Sequence, residues 1–174
     1  MNTQPYEVRN AKPSEFAEIG KLMIEVYSRL EGFPNRTEQP DYYSMLANVG
    51  AMTLRPQTEL LVAVSPEDKI AGAVVYFGDM KYYGSGGTAT SEQHSAGFRL
   101  LAVNPEYQRQ GIGKLLTFEC IGKAKIQQRA QMIIHTTMAM QTAWKMYEKI
   151  GFKRSEDLDF IQGELPVCGF RLLL

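Results

Sequence analysis

The chain has 174 residues, is 44% hydrophobic, and sets 19 basic against 19 acidic side chains for a formal net charge of zero. That length and apolar fraction predict one globular domain over residues 1–174 with a substantial core. The balanced charge argues against a nucleic-acid binder working by bulk electrostatics. Cys120 and Cys168 stand far apart in apolar contexts, and neither they nor the two histidines show a metal-ligand spacing, so buried thiols and no metal are expected. The opening MNTQPYEVRN lacks the basic and apolar regions of a secretory leader, and no apolar run reaches the ~18–20 residues of a membrane span. A cytoplasmic protein without a membrane partner is the expectation.

Tyr6-Glu7-Val8-Arg9 alternates in polarity and predicts a half-exposed first strand. Ser14 is the expected N-cap of a helix over 15–30, whose apolar face carries Phe16, Ile19, Met23, Tyr27 and Leu30. A shorter helix over 41–49 should follow, closed by Gly50. Residues 60–64 and 70–77 read as a hairpin around the turn at 65–69, and the Gly-, Ser-, Thr- and Tyr-rich segment 78–93 as a long surface loop. Further strands are expected at 98–103, 131–136, 152–154 and 167–174. Helices should occupy 111–129 and 139–150, with Gly151 as the second one's stop and a polar loop over 157–166.

The strand at 98–103 leads into the most informative segment. Asn104-Pro105 ends it, and after a short polar stretch Gly111-Ile112-Gly113 opens a helix with apolar residues at 112, 115, 116 and 120. Glycines in a first helical turn allow close backbone approach, and the free N–H groups and helix dipole favour an anion. Arg109 and Lys114 add charge. A Walker loop fails, because Gln108 and Leu115 replace its first glycine and its hydroxyl; a dinucleotide fingerprint fails at Leu116. Gln108-Arg109-Gln110-Gly111-Ile112-Gly113, after a strand ending in Ala-Val-x-Pro, instead resembles motif A of the GNAT N-acetyltransferase superfamily. Ala143-x-x-x-Tyr147-x-x-x-Gly151-Phe152 resembles its motif B.

The order of elements resembles the GNAT fold from end to end, which implies an α/β (α+β type) protein with a mixed central sheet of about seven strands flanked by about four helices. The resemblance implies acetyl-CoA as co-substrate, with its pyrophosphate on Gln108, Arg109, Gln110, Gly111, Ile112, Gly113 and Lys114. Its pantetheine arm would lie along a bulged backbone at Leu101, Ala102 and Val103. Tyr147 would be the catalytic hydroxyl beside the sulfur, and transfer would go directly to a primary amine. Met140 stands where relatives often carry a pantetheine-holding asparagine. The general base stays open: Glu92, His94, Ser95, Glu106 and His135 are candidates, as is water, whereas Arg99 on the strand cannot accept a proton. Acceptor recognition is expected from Glu31, Phe33, Arg36, Tyr82, Tyr83, Asp157 and Asp159. A small-molecule amine acceptor and a homodimer fit the family. Rival readings are a longer acyl donor, a protein amine acceptor, or a non-catalytic acyl-CoA-binding domain.

Overall fold

The computed structural model describes residues 5–174; Met1 to Gln4, part of the segment read for a leader, lie outside the described residues. The strands are β1 (Glu7–Asn10), β2 (Thr58–Val64), β3 (Ile70–Phe77), β4 (Ser95–Val103), β5 (Gln131–Thr136), β6 (Lys153–Arg154), β7 (Phe160–Gln162) and β8 (Leu165–Leu173). The helices are α1 (Phe16–Ser28), α2 (Pro40–Ala47), α3 (Ile112–Ile126) and α4 (Gln141–Ile150). The sheet runs β1-β2-β3-β4-β5-β8-β6, with β7 folded back on β8. All pairings are antiparallel except that of β4 with β5.

Both faces of the sheet are covered, which is why β2 and β3 are almost uniformly apolar. On one face Leu60, Val62, Ala73, Val75 and Phe77 pack against Ile19, Met23 and Tyr27 of α1 and Tyr43 and Leu46 of α2. On the other, Leu61, Ala63, Val74 and Tyr76 meet Leu116, Cys120 and Ala124 of α3. The two-residue period of the strands sorts these sets without exception.

That period breaks near Ala71 on β3, where Ala63 faces Gly72 but Val64 faces Ile70, and again on β4. Ala73 faces Ala102 but Val75 faces Arg99, so β4 carries one extra residue there, a β-bulge with Leu100 at φ 58°. Phe98 packs on the α3 face; after the bulge Leu101 and Val103 lie on that face, and Leu100 and Ala102 on the α1 face. The bulge thus turns two consecutive residues toward the helix pair α1–α2. Beyond it, β4 has lost its second neighbour. It pairs with β5 only from Ser95, Ala96 and Gly97 to Gln131, Met132 and Ile133, and the strands then part.

Several expectations are corrected. The described residues form eight strands, because Phe160–Gln162, inside what reads as a polar loop, forms a hairpin with Leu165–Leu173. Ser14 is not a cap. Glu15 reaches back to the Lys12 amide at 2.7 Å while holding Arg9 through both carboxylate oxygens at 2.7 and 3.0 Å. The second helix stops at Ala47, and the chain continues through a 3-10 turn, Val49–Leu54, that contains Gly50. Residues 78–93 are no loose loop, since Met80, Tyr83 and Ala89 are fully buried in the α1-side core. Composition misled there because small polar residues flank three anchors.

Where β4 and β5 still touch, Gly97 has no room for a side chain: a Cβ would stand 2.6 Å from the Ile133 carbonyl and 2.8 Å from the Met80 sulfur. Gly97→Ala is therefore expected to destabilise the fold by about 1–3 kcal/mol, read as a lower urea midpoint; an unchanged midpoint would refute this packing.

Candidate active site

The parted strands create a site with two ends. At one end α3 begins. Gly111 precedes it in the left-handed conformation (φ 78°), and Arg109 before it is also left-handed (φ 63°), so the chain curls tightly into the helix. Among the described residues the amides of Arg109, Gln110 and Gly111 donate to no backbone carbonyl. Those of the first helical turn have no partner within the helix. This is a cluster of donors at the positive end of a dipole. A Cβ on Gly113 would touch Met146 and Val103 at 3.6 Å and Leu101 at 3.8 Å, which places the first turn of α3 against both β4 and α4. Tyr6 hydrogen-bonds the Gln110 side chain across the loop, and the Lys114 ammonium sits over the Phe118 ring.

At the other end is a small cavity of about 70 Å³, lined among others by Tyr27, Tyr42, Tyr83, Arg99, Leu100 and His135. Thr136, Thr137 and Met140 complete its β5 side. It shares Tyr42, Ser85, Arg99, Phe160 and Gln162 with a wider groove of about 620 Å³ whose outer part carries Glu38 and Asp41. The β7–β8 hairpin forms one wall, tied to the start of α2 by reciprocal Gln39–Gln162 hydrogen bonds of 2.7 and 3.2 Å.

The polar groups of the cavity have definite states. The Leu158 carbonyl can only accept, so His135 donates from Nε2 at 2.9 Å and its Nδ1 accepts from the Tyr83 hydroxyl at 3.0 Å. Burial lowers the histidine's pKa, with Arg99 pushing the same way, so the ring is neutral near pH 7. Burial raises Tyr27 and Tyr83 well above the ordinary phenol range and Tyr42 to about 12; Arg99 opposes each shift. All four groups therefore sense the guanidinium. Arg99 donates to the Tyr83 carbonyl at 2.9 Å and has no carboxylate partner among the described residues.

The structure brings together most of the residues singled out in the sequence. Leu101, Ala102 and Val103 follow the bulge on the edge of β4 that β5 has left, and the Leu101 carbonyl accepts from Tyr27 Oη at 3.3 Å. Residues 108–114 form the loop and first turn described above. Tyr147 is buried between Phe98 and Phe152 on the α3 face, and its hydroxyl has no hydrogen-bond partner among the described residues. Burial holds its pKa above the ordinary phenol range, and the Tyr83 phenol, from the opposite face of the sheet, adds to the shift.

Other candidates leave the site. Glu92 is paired with Arg171 at 2.7 Å. Asp159 is clamped by Arg154 and the Gly169 amide, and Asp157 by Arg171 and Ser155, so neither is a free anion for an amine. Glu106 and His94 are exposed. Phe33 stacks with Tyr27 and Tyr42 behind the cavity, Tyr83 is one of its walls, and Tyr82, Glu31 and Arg36 do not line it. Cys120 lies in the core with its thiol pKa raised by burial, and Cys168 is half-buried on β8. Sequence reasoning missed Thr136 and Thr137, which look like ordinary strand-end residues, and gave Arg99 no positive role. A lone arginine in an apolar strand was the available signal.

A sequence model of the acetyltransferase (GNAT) family matches residues 21–152, and the chain belongs to that family. No curated protein matches it significantly. Among solved structures, a GNAT acetyltransferase from Staphylococcus aureus superposes with a TM-score of 0.72 at 17% identity, over 95% of this chain and 97% of the other. The PaiA N-acetyltransferase from Thermoplasma acidophilum, in complex with coenzyme A, gives 0.70 at 16% identity over 94% and 97%. Spermidine N-acetyltransferase from Vibrio cholerae, in complex with CoA and spermine, gives 0.65 at 19% over 99% and 96%. No helix here is long and apolar enough to cross a membrane, and the described residues hold no His/Cys/Asp/Glu cluster suited to a metal.

Because folding lowers the pKa of His135, the unfolded chain binds its proton more tightly. The linked stability is complete above the unfolded value of ~6.5 and is lost as pH falls toward the folded one. The melting temperature should drop between about pH 7 and about pH 5, and His135→Gln should flatten that drop in circular-dichroism melts. Parallel profiles for the two proteins would contradict it.

Proposed function

We propose that the protein is an acetyl-CoA-dependent N-acetyltransferase, acting as one domain over residues 1–174, that passes acetyl directly to the primary amine of a small molecule. The observation that carries this reading is the parting of β4 and β5 after Gly97 and Ile133, with amides that donate to no backbone carbonyl among the described residues at one end and a small cavity at the other. The coenzyme A in the Thermoplasma and Vibrio structures, and the spermine in the latter, support the donor and the amine acceptor class.

The fit to the donor rests on this chain's own groups. Gln108, Arg109, Gln110, Gly111, Ile112, Gly113 and Lys114 would hold the pyrophosphate by main-chain N–H groups, with Arg109 and Lys114 as counter-charges. The bared edge at Leu101, Ala102 and Val103 would pair with the pantetheine amides and hold the thioester carbonyl at the bulge. These are backbone contacts, so Met140 in place of an amide side chain does not prevent them.

In the transfer, the amine nitrogen bonds to the acetyl carbon, the carbon–sulfur bond breaks, and the amine gives up a proton as thiolate leaves. Tyr147 is the residue assigned to the thiolate. A thiol titrates near ~8.5 and this buried phenol far higher, so outright proton transfer from Tyr147 runs uphill. Its hydroxyl acts as a hydrogen-bond donor to the departing sulfur. Among the described residues no carboxylate lines the cavity, and His135 Nδ1 is already occupied by Tyr83, which leaves water to take the amine's proton.

Free-thiol release from acetyl-CoA over a panel of amines tests this reading. Tyr147→Phe should lower kcat about 10–100-fold with KM little changed, and a fully active variant would remove Tyr147 from the chemistry. Gly113→Ala, whose methyl meets only ordinary contacts in the protein, should weaken CoA binding several-fold in calorimetry without lowering the melting temperature. Unchanged affinity would displace the donor from this turn.

A further inference from the structure

We propose that the acceptor is an amine carrying a carboxylate a short link away, of the α-amino acid kind, and that Arg99 binds the carboxylate. The inference rests on the transferase reading above and adds the substrate class.

Among the described residues, Arg99 is the one charged residue lining the inner cavity. Its guanidinium has five N–H donors. One is spent on the Tyr83 carbonyl, and the group also lies 5.6 Å from the Tyr83 ring centroid. A partly buried cation ringed by tyrosines and a neutral histidine, with no carboxylate partner among the described residues, is an incomplete ion pair. A second guanidinium reinforces the field. A Cβ on Gly84 would stand 2.8 Å from Nη1 of Arg55 and 3.5 Å from Nη1 of Arg99, and Arg55 also has no ion-pair partner among the described residues.

An independent observation points the same way. The hydroxyls of Thr136 and Thr137 are buried and have no hydrogen-bond partner among the described residues, and both residues line this cavity. Buried hydroxyls left unpaired are uncommon, and each can donate to an anionic oxygen. The hydroxyls can serve either charge, but the guanidinium suits a carboxylate, and among the described residues no anion lines the cavity for an ammonium.

Position then limits size. Arg99 adjoins Leu100, the bulge residue at which the strand edge is bared, so the anion site and the reacting carbon share one small cavity. The amine and carboxylate of the acceptor must therefore be close together. The Arg99 guanidinium is a fixed positive charge bordering the cavity. The same charge repels polyamines. Glu38 and Asp41 line the wider groove that Arg99 also borders, and neither forms an ion pair with it.

The test is thiol release from acetyl-CoA with the twenty α-amino acids, each beside its carboxamide, together with spermidine and simple alkylamines. At least one amino acid should exceed its amide by about 30–100-fold in kcat/KM, with spermidine poor. Arg99→Gln should erase that ratio, mainly through KM for the acid, while leaving turnover of the amide and acetyl-CoA affinity within about threefold; Arg99→Lys should restore part of it. Equal turnover of acid and amide overturns the proposal, as does an equal loss on both in Arg99→Gln, which would place Arg99 on the acetyl oxygen. Thiol release confined to alkylamines or spermidine overturns it while sparing the transferase. Absence of acetyl-CoA binding, or of thiol release with every amine, overturns the transferase reading and this one with it.

Discussion

The structure depends on a pairing that stops. Three residues of β4 lie beside three of β5, and then the ladder ends although both strands continue. Parallel neighbours usually run on together, because every unpaired N–H and C=O in the interior is costly. Here the separation is fixed from both sides. At Gly97 the strands approach more closely than a side chain would permit, and two residues further on the bulge at Arg99–Leu100 swings β4 away. The parted edges are what a ligand backbone can complete.

The rest of the chain holds this opening in place. α3 and α4 close one face with Ile112, Leu116 and Tyr147, while α1 and α2 close the other with Met23, Tyr27 and Tyr43. Since each helix pair packs on a different face, Tyr27 and Tyr147 approach the gap from opposite sides, and after burial the Tyr147 phenol is among the groups that raise the pKa of Tyr27. Burial keeps these phenols protonated, so the cavity is furnished with O–H donors beside the Arg99 guanidinium.

Acidic residues tell the complementary story. Asp157, Asp159 and Glu92 stand near one another but are consumed by Arg154 and Arg171, which pin the 3-10 turn before β7 and the start of β4 to β8. Carboxylates that look in the sequence like a cradle for a cationic amine are structural. With them removed from consideration, the cavity's charge is set by Arg99, the reverse of what loop composition implies.

The sequence by itself determined the order of elements, the strand-to-helix turn at 104–113 and the family, because hydrophobic period, proline and glycine act locally on the backbone. It also marked Tyr147 and the phosphate-type loop, whose donors are main-chain groups fixed by that turn. It could not show β7, whose three residues pair only because β8 offers an edge, or the anchoring of 78–93 by Met80 and Tyr83. Nor could it show that Arg99 lacks a partner while Asp159 has one. Ion pairing and cavity lining join residues far apart in the chain, and they are decided by which side chains the packed sheet and helices bring within a few ångströms.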